Sequence, residues 1–333
     1  MIEIIAEIGV NHNGNLNTAK KMIVEAKKSG ANTVKFQAYK AKDLALKITK
    51  KAPYQFNKAL PNESHYQMLK KFELSENDHE QLKAFCEKIK IEYLCTPYDL
   101  ESLKMLERLK VKKYKTSSAD LIDIFLHKFI SKTKKNVIIS TGMSSFKEIT
   151  KTLSIYNKVS SRVTLLHCIS NYPCSDKSIN LAVIPKISKI FNTSVGFSDH
   201  SNNNVASIMS VSLGAKVIEK HFTLDRTLEG PDHKASYEPE KFKKYVTNIR
   251  KAEIILGKDK KKVQKEEVKM MRVSRKSLVA KRKILKGEKI LLSLLTAKRP
   301  GTGIYPTELS KVIGKMSKKT ILKDEQIKQK NLK

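Results

Sequence analysis

The chain has 333 residues, 40% of them apolar, which is enough for one large domain with its own core and a second, small one. No apolar run approaches the roughly 20 residues that cross a bilayer, so no membrane partner is expected. The formal net charge is +33, yet only 8 of the 66 basic residues are Arg, and the Lys excess is scattered over helix faces such as KKMIVEAKKSG. That pattern argues for solvated surfaces and against a nucleic-acid partner, although the positive field can draw in an anionic substrate.

The N-terminus carries no basic leader and runs straight into a strand-like segment, as a mature start would. Strand-like runs then alternate with helical patterns along the chain: IEIIAEI (2–8), NTVKFQA (32–38), IEYLCTP (91–97), KYKTSS (113–118), NVIIST (136–141), VTLLHC (163–168), SVGFSD (194–199) and KVIEKHF (216–222). Most are short, β-branched and apolar, as parallel strands buried on both faces are. Thr18 is placed to cap the first helix, which closes at Gly30, and Ser75 with Asp78 has the spacing of a capping box. Eight strands, each followed by a helix, predict a (β/α)8 TIM barrel over 1–257. A doubly wound open sheet is the structural alternative, but the G-x-G-x-x-G dinucleotide fingerprint is missing. Residues 258–272 are charged, lack an apolar period long enough for a core element, and read as a linker. Short strands around Lys-Gly turns predict a small β-rich domain over 273–333. Cys86, Cys95, Cys168 and Cys174 match neither a zinc motif nor a disulfide framework, which points to a reducing compartment, the cytoplasm.

Active-site groups of such a barrel sit at the C-terminal ends of its strands. Polar residues stand at all eight ends: Glu7 with Asn11 and His12; Lys35 and Gln37; Thr96; Lys115, Ser118 and Asp120; Ser140 and Thr141; His167, Ser170 and Tyr172; Ser198, Asp199 and His200; Glu219 and His221. Singly, a Ser or Thr there caps the next helix, and a lone His is more often a hydrogen-bonded core residue. Together they line a mouth for a polar ligand. Lys35, Lys115, Thr96, Ser118, Ser140 and Ser198 supply charge and hydroxyl donors suited to a phosphate and a carboxylate. His200 and His221 end adjacent strands, so their imidazoles can meet on one divalent ion with open positions for Lewis-acid work.

The segments AEIGVNHNGN, VKFQ, CTPYD, STGM, FSDH, EKHFT, GPDHKAS and KRPGTG, in this order, resemble the sialic acid synthase family over essentially the whole chain, and the C-terminal part is similar to antifreeze-like (SAF) domains. The resemblance implies an enzyme that condenses phosphoenolpyruvate with an N-acetylated mannosamine-type sugar to a nine-carbon 2-keto sugar acid. It implies metal ligation by His200 and His221, with Mn2+, Co2+ or Mg2+ as the ion. Phosphoenolpyruvate contacts match Lys35, Thr96, Lys115, Ser118, Ser140, Ser170 and Ser198, and sugar contacts match Gln37, Tyr172, Asp232 and Arg299. Glu7 matches the essential carboxylate, beside Asp120. It also implies a domain-swapped homodimer in which Arg299 reaches the partner's barrel. Two positions depart from some members: Asp120 stands where others carry Glu, and Ser170 where others carry Asn. The chemistry implied is attack of the C3 carbon of phosphoenolpyruvate on a metal-polarised aldehyde. Water then captures C2, assisted by Glu7, and phosphate leaves by C–O cleavage.

Two other readings fit parts of the sequence. A Schiff-base aldolase would use Lys35 or Lys115 covalently. A basic nucleic-acid-binding protein would explain the charge but not the polar strand ends. KKAPYQ (50–55) and GPDHKAS (230–236) look closer to members that make legionaminic-type sugars, with plain N-acetylmannosamine as the competing acceptor.

Overall fold

Eight strands form one parallel sheet in the order β3-β2-β1-β8-β7-β6-β5-β4. They are β1 (Glu3–Gly9), β2 (Thr33–Ala38), β3 (Glu92–Pro97), β4 (Lys113–Thr116), β5 (Asn136–Ser140), β6 (Val163–Cys168), β7 (Ser194–Asp199) and β8 (Val217–His221). The end strands β3 and β4 lie against each other, which curls the sheet into the expected (β/α)8 barrel. The structure is a computed structural model describing residues 1–52, 55, 62–156 and 162–333. Pro53 and Tyr54 of the KKAPYQ stretch lie outside the described residues.

The helices between strands start where side chains can satisfy free backbone N–H groups. Ser75 and Asp78 form the expected capping box on helix Glu76–Lys88. The first helix differs from the sequence expectation. It spans Leu16–Lys28, and Asn15 rather than Thr18 is its cap, with the Asn15 carboxamide accepting from the Thr18 N–H at 2.9 Å. Both residue types cap well, and the chain turns into the helix three residues earlier than the Thr18 reading allowed. Gly30 then takes φ +93°, the left-handed turn that releases the chain toward β2.

Side chains alternate along each strand, so the barrel interior is layered. At the bottom, Lys113 of β4 pairs with Glu92 of β3 at 3.3 Å and with Glu3 of β1, while the Thr33 hydroxyl donates to Glu3 at 2.6 Å. This polar plug ties β4 to β3 at the seam. Two residues further along, Ile5, Leu94, Ile138, Leu166 and Val217 form a separate apolar layer. Two residues further again come Glu7, Thr96, Ser140, Cys168 and Glu219. The site therefore rests on an apolar floor that keeps the bottom charges out of it. The main core lies outside the strands, against the helices.

The chain divides into two compact units, 1–257 and 258–333. In the second, β9 (Ser277–Ala280) and β10 (Leu295–Lys298) pair antiparallel over a small core of Leu278, Ile284, Ile290, Val312, Ile321 and Ile327. Residues Glu267–Ser274, within and just beyond the charged stretch, form a helix with no buried residue. A surface helix needs no apolar period, so the pattern that excluded a core element did not exclude this one. Among the described residues no helix is long and apolar enough to cross a membrane.

Gly196 of β7 sits in the apolar floor. A Cβ there would lie 2.3 Å from the Val217 carbonyl oxygen and 2.5 Å from a Leu166 methyl carbon. Gly196→Ala should therefore destabilise the barrel by about 1–3 kcal/mol through overpacking. The measurement is urea unfolding, with a lower midpoint and an unchanged slope. An unshifted midpoint would show that the floor can give way.

Candidate active site

Four charged side chains meet above the floor. The Lys35 ammonium lies 2.8 Å from one carboxylate oxygen of Glu7 and 3.7 Å from Glu219, and Lys115 lies 3.7 Å from the other oxygen of Glu219. All four are buried. Register explains the convergence: Glu7 faces Lys35 across the β1–β2 ladder, and Glu219 stands one strand over on β8. Hydroxyls complete the set. Lys115 donates to the Ser140 hydroxyl at 2.6 Å, Lys35 to Thr96 at 3.1 Å, and the Ser198 hydroxyl to Glu219 at 2.9 Å. Gln37 donates to Glu7 at 3.0 Å.

The surroundings push these groups in different directions. Burial raises Glu219, but the Lys115 and Lys35 charges and the Ser198 bond outweigh it and hold the carboxyl down at about 2. For Glu7 burial wins over its partner Lys35, and the carboxyl is raised. Burial lowers Lys115. For Lys35 the two carboxylates outweigh burial, and the ammonium is raised.

A second cluster lies beside the lysines. The Gly142 N–H donates to the Ser118 hydroxyl oxygen at 3.0 Å. A Cβ on Gly142 would lie 2.4 Å from the Ser170 hydroxyl and 2.8 Å from that of Ser118. The missing side chain leaves room for the Ser118 and Ser170 hydroxyls, from different loops, to lie side by side next to Gly142, a pair of hydroxyl donors suited to an oxyanion. Asp120 follows Ser118 and accepts from the Ser117 hydroxyl at 2.6 Å, and burial raises its carboxyl to about 6.

The histidine pair forms the third part. The His200 and His221 rings have centroids 5.5 Å apart, and the Tyr172 ring lies 4.0 Å from His200 and 5.3 Å from His221. Nδ1 of His200 meets the Ile169 carbonyl at 2.7 Å, which fixes the proton there and leaves Nε2 as a lone-pair donor. Nδ1 of His221 is buried with no hydrogen-bond partner among the described residues and lies 3.9 Å from the Asp232 carboxylate. Burial, with the Glu7 charge next, raises Asp232 to about 7. Both histidines line the cavity with their rings 5.5 Å apart, and one buried imidazole nitrogen lacks a hydrogen-bond partner among the described residues, which fits a divalent ion with open positions. No set of three His, Cys, Asp or Glu side chains arranged for a metal occurs among the described residues.

These groups line one cavity of about 400 Å3. Of the residues singled out from sequence, Glu7, Gln37, Asp120, Tyr172 and Asp232 line it with both histidines, both lysines and the serines at 118, 140, 170 and 198. Thr96 lies just beneath, fully buried, and meets the cavity through Lys35. Arg299 belongs to the second unit, where its Nε donates to the Ser274 carbonyl at 2.9 Å. His12, His127, His167 and His233 instead bond neighbouring backbone or hydroxyl groups, as lone histidines usually do. Sequence reasoning gave no role to three lining or flanking residues. Glu219 was visible as a strand end, but its place between two lysines was not. Gly142 had only the turn-like STGM as a signal. Cys168, whose sulfur lies 3.7 Å from His200 Nδ1, gave none.

Residues 22–261 match the NeuB family and residues 275–333 match the SAF domain. The chain is 43% identical to the N,N'-diacetyllegionaminic acid synthase of Campylobacter jejuni subsp. jejuni, over 98% of each chain. It is 42% identical to the synthase of the same name from Legionella pneumophila subsp. pneumophila, over 93% of this chain and 89% of that one. Among solved structures it resembles the N-acetylneuraminic acid (sialic acid) synthetase of Leptospira borgpetersenii serovar Hardjo-bovis. That match has a TM-score of 0.72 and 35% identity, over 81% of this chain and 90% of that one.

Asp120 gives this site a testable pH signature. A carboxyl raised from 3.8 to about 6 keeps its proton in the fold while the unfolded chain has already lost it. The folded state then binds more protons, so stability falls as pH rises between about 4 and 6. Asp120→Asn keeps the acceptor for Ser117 and removes that penalty. Its stability advantage over the unmodified chain should grow across this window by on the order of 1–3 kcal/mol and stay flat above it. Urea midpoints at several pH values measure this. A gap that does not change with pH would show that Asp120 is not held protonated.

Proposed function

This chain belongs to the NeuB family, and on that premise we propose that it is a synthase joining phosphoenolpyruvate to 2,4-diacetamido-2,4,6-trideoxymannose, with water, to give N,N'-diacetyllegionaminic acid and phosphate. The observation that carries the reading is the 43% identity to such a synthase over 98% of both chains, with a cavity whose polar groups suit both substrates. The acceptor's identity also has physical support. Leu44, Met68, Leu69 and Phe72 give the cavity one apolar wall, which suits a deoxygenated sugar end better than a hydroxylated or phosphorylated one.

In this reading Lys35, Lys115 and the Ser140 and Ser198 hydroxyls bind the anionic groups of phosphoenolpyruvate, and the Ser118 and Ser170 hydroxyls beside Gly142 cradle the phosphate. Gln37, Tyr172 and Asp232 orient the open-chain sugar so that its aldehyde carbon meets C3 of phosphoenolpyruvate. His200 and His221 would hold a divalent ion, which when bound would supply Lewis-acid polarisation of the aldehyde. A carbon–carbon bond forms between C3 and the aldehyde carbon, and C2 becomes cation-like. Glu7 takes a proton from the water that adds to C2; its raised carboxyl makes it a better base than the strongly held Glu219. The former aldehyde oxygen takes up a proton, and the C2–O bond to phosphate then breaks as the added C2 hydroxyl becomes the ketone and gives up its proton; both lysines stabilise the departing phosphate. The proposal includes a homodimer in which Arg299 of one subunit serves the sugar site of the other.

The test is phosphate release from phosphoenolpyruvate with a panel of acceptors: the diacetamido-trideoxy sugar, N-acetylmannosamine and its 6-phosphate. The first should give the highest kcat/KM, by about tenfold or more. Equal or better turnover of either other sugar overturns the acceptor assignment, and no phosphate release with any of them overturns the reaction.

Lys35→Met and Lys115→Met should each raise the KM for phosphoenolpyruvate by roughly tenfold or more while moving the sugar KM much less, since a charged hydrogen bond is worth about 1.5–3 kcal/mol. Unchanged phosphoenolpyruvate kinetics in both would place the anion elsewhere.

A further inference from the structure

Alternation leaves a second set of polar residues on the outer face of β7 and β8. Ser198 and Glu219 point into the barrel, so their neighbours Asp199 and Lys220 point out, toward the helices. Outward positions of barrel strands are ordinarily apolar, and here Val195, Phe197 and Ile218 are. Asp199 and Lys220 are each 1% exposed and are direct partners in the β7–β8 ladder. Their charges lie 3.5 Å apart.

The contacts of this pair close around the two histidines. Asp199 accepts from the Ser201 N–H at 2.8 Å, and Lys220 donates to the Ser201 carbonyl, so both backbone groups of Ser201, next to His200, are held. The Tyr245 hydroxyl, from helix Pro239–Leu256, donates to the second Asp199 oxygen at 2.9 Å. The Lys220 ammonium lies 4.3 Å from the centre of the Tyr237 ring, and the Tyr237 N–H donates to the His221 carbonyl at 2.9 Å. His200 and His221 are thus gripped from behind by one buried cluster.

We infer that Asp199 and Lys220 are positioning residues that hold His200 and His221 at the separation a shared divalent ion requires. The inference rests on the metal assignment above. Its physical basis is that a buried ion pair is a weak source of stability, because desolvation offsets its attraction, whereas its directional hydrogen bonds fix geometry. Partners behind metal-ligating histidines typically change metal affinity by roughly 10- to 100-fold when removed.

The experiment titrates Mn2+ into metal-stripped full-length protein and reads free Mn2+ by electron paramagnetic resonance, beside urea midpoints and the KM for phosphoenolpyruvate at saturating Mn2+. Asp199→Asn and Lys220→Met should each raise the Mn2+ Kd by roughly 10- to 100-fold and leave the phosphoenolpyruvate KM unchanged. Tyr245→Phe keeps the ion pair and removes one hydrogen bond to Asp199, so it should raise the Kd in the same direction by less. A Mn2+ Kd equal to that of the unmodified protein in the folded variants, with only the urea midpoint lowered, overturns the inference. Where the charge variants do not fold, an unchanged Kd in Tyr245→Phe overturns it. Failure of the unmodified protein to bind Mn2+, Co2+ or Mg2+ is a different result: it removes the metal assignment itself, and the inference with it.

Discussion

Two lysines buried at the top of a closed barrel need negative charge within a few ångströms, and strand register decides where it comes from. Glu7 on β1 and Glu219 on β8 supply it, and Lys35 lies between them. The cluster is balanced, two ammoniums against two carboxylates, so it can exist without a ligand at all. That balance shapes how an anion enters. An anion held by these lysines would compete with Glu7 and Glu219 for the same ammoniums, and would gain where the Ser118, Ser140 and Ser170 hydroxyls add bonds that the carboxylates do not use; Ser198 already donates to Glu219. The apolar floor matters for the same reason. It separates the mouth from Lys113, Glu3 and Glu92 below, whose charges would otherwise enter the same balance.

Much of this was legible in the sequence because barrel strands announce themselves twice. Their interiors are short β-branched runs, and their C-terminal ends turn polar together. Reading only those ends brought out the lysines, the serines and the histidine pair. What stayed hidden depends on three-dimensional neighbours. Glu219 is visibly a strand-end carboxylate, but nothing in EKHFT says that both lysines converge on it. Gly142 looks like a turn residue; its requirement is set by Ser118 and Ser170, which arrive from other loops. Asn15 and Thr18 are both sound caps, and only the path of the chain chooses between them. The helix at Glu267–Ser274 buries nothing, so it leaves no apolar period to find.

The two segments that most resist a simple strand reading, SDH and EKH, are polar on both faces for two different reasons. The inward residues line the cavity. The outward pair meets the helices, where polarity is unfavourable unless every group is partnered. Asp199 satisfies both carboxylate oxygens, and Lys220 is enclosed by a carboxylate, a carbonyl and an aromatic ring. An apolar pair would fill the same space with less desolvation, but it would carry no preference for one placement of the Ser201 backbone over another.

A division of labour follows between strands and connections. The eight strand ends supply charge, hydroxyls and imidazoles, groups that any condensation of phosphoenolpyruvate with an aldehyde can use. An apolar part of the cavity lining comes instead from the long connection after β2, through Leu44, Met68, Leu69 and Phe72. Within it, helix His65–Phe72 packs on Val10 and Tyr39. Motifs at strand ends therefore identify the reaction, because strand geometry is common to the whole barrel class. The apolar side chains of that connection belong to no strand ladder, so their size and polarity can change without disturbing one, and in the sequence only the KKAPYQ stretch marks the segment.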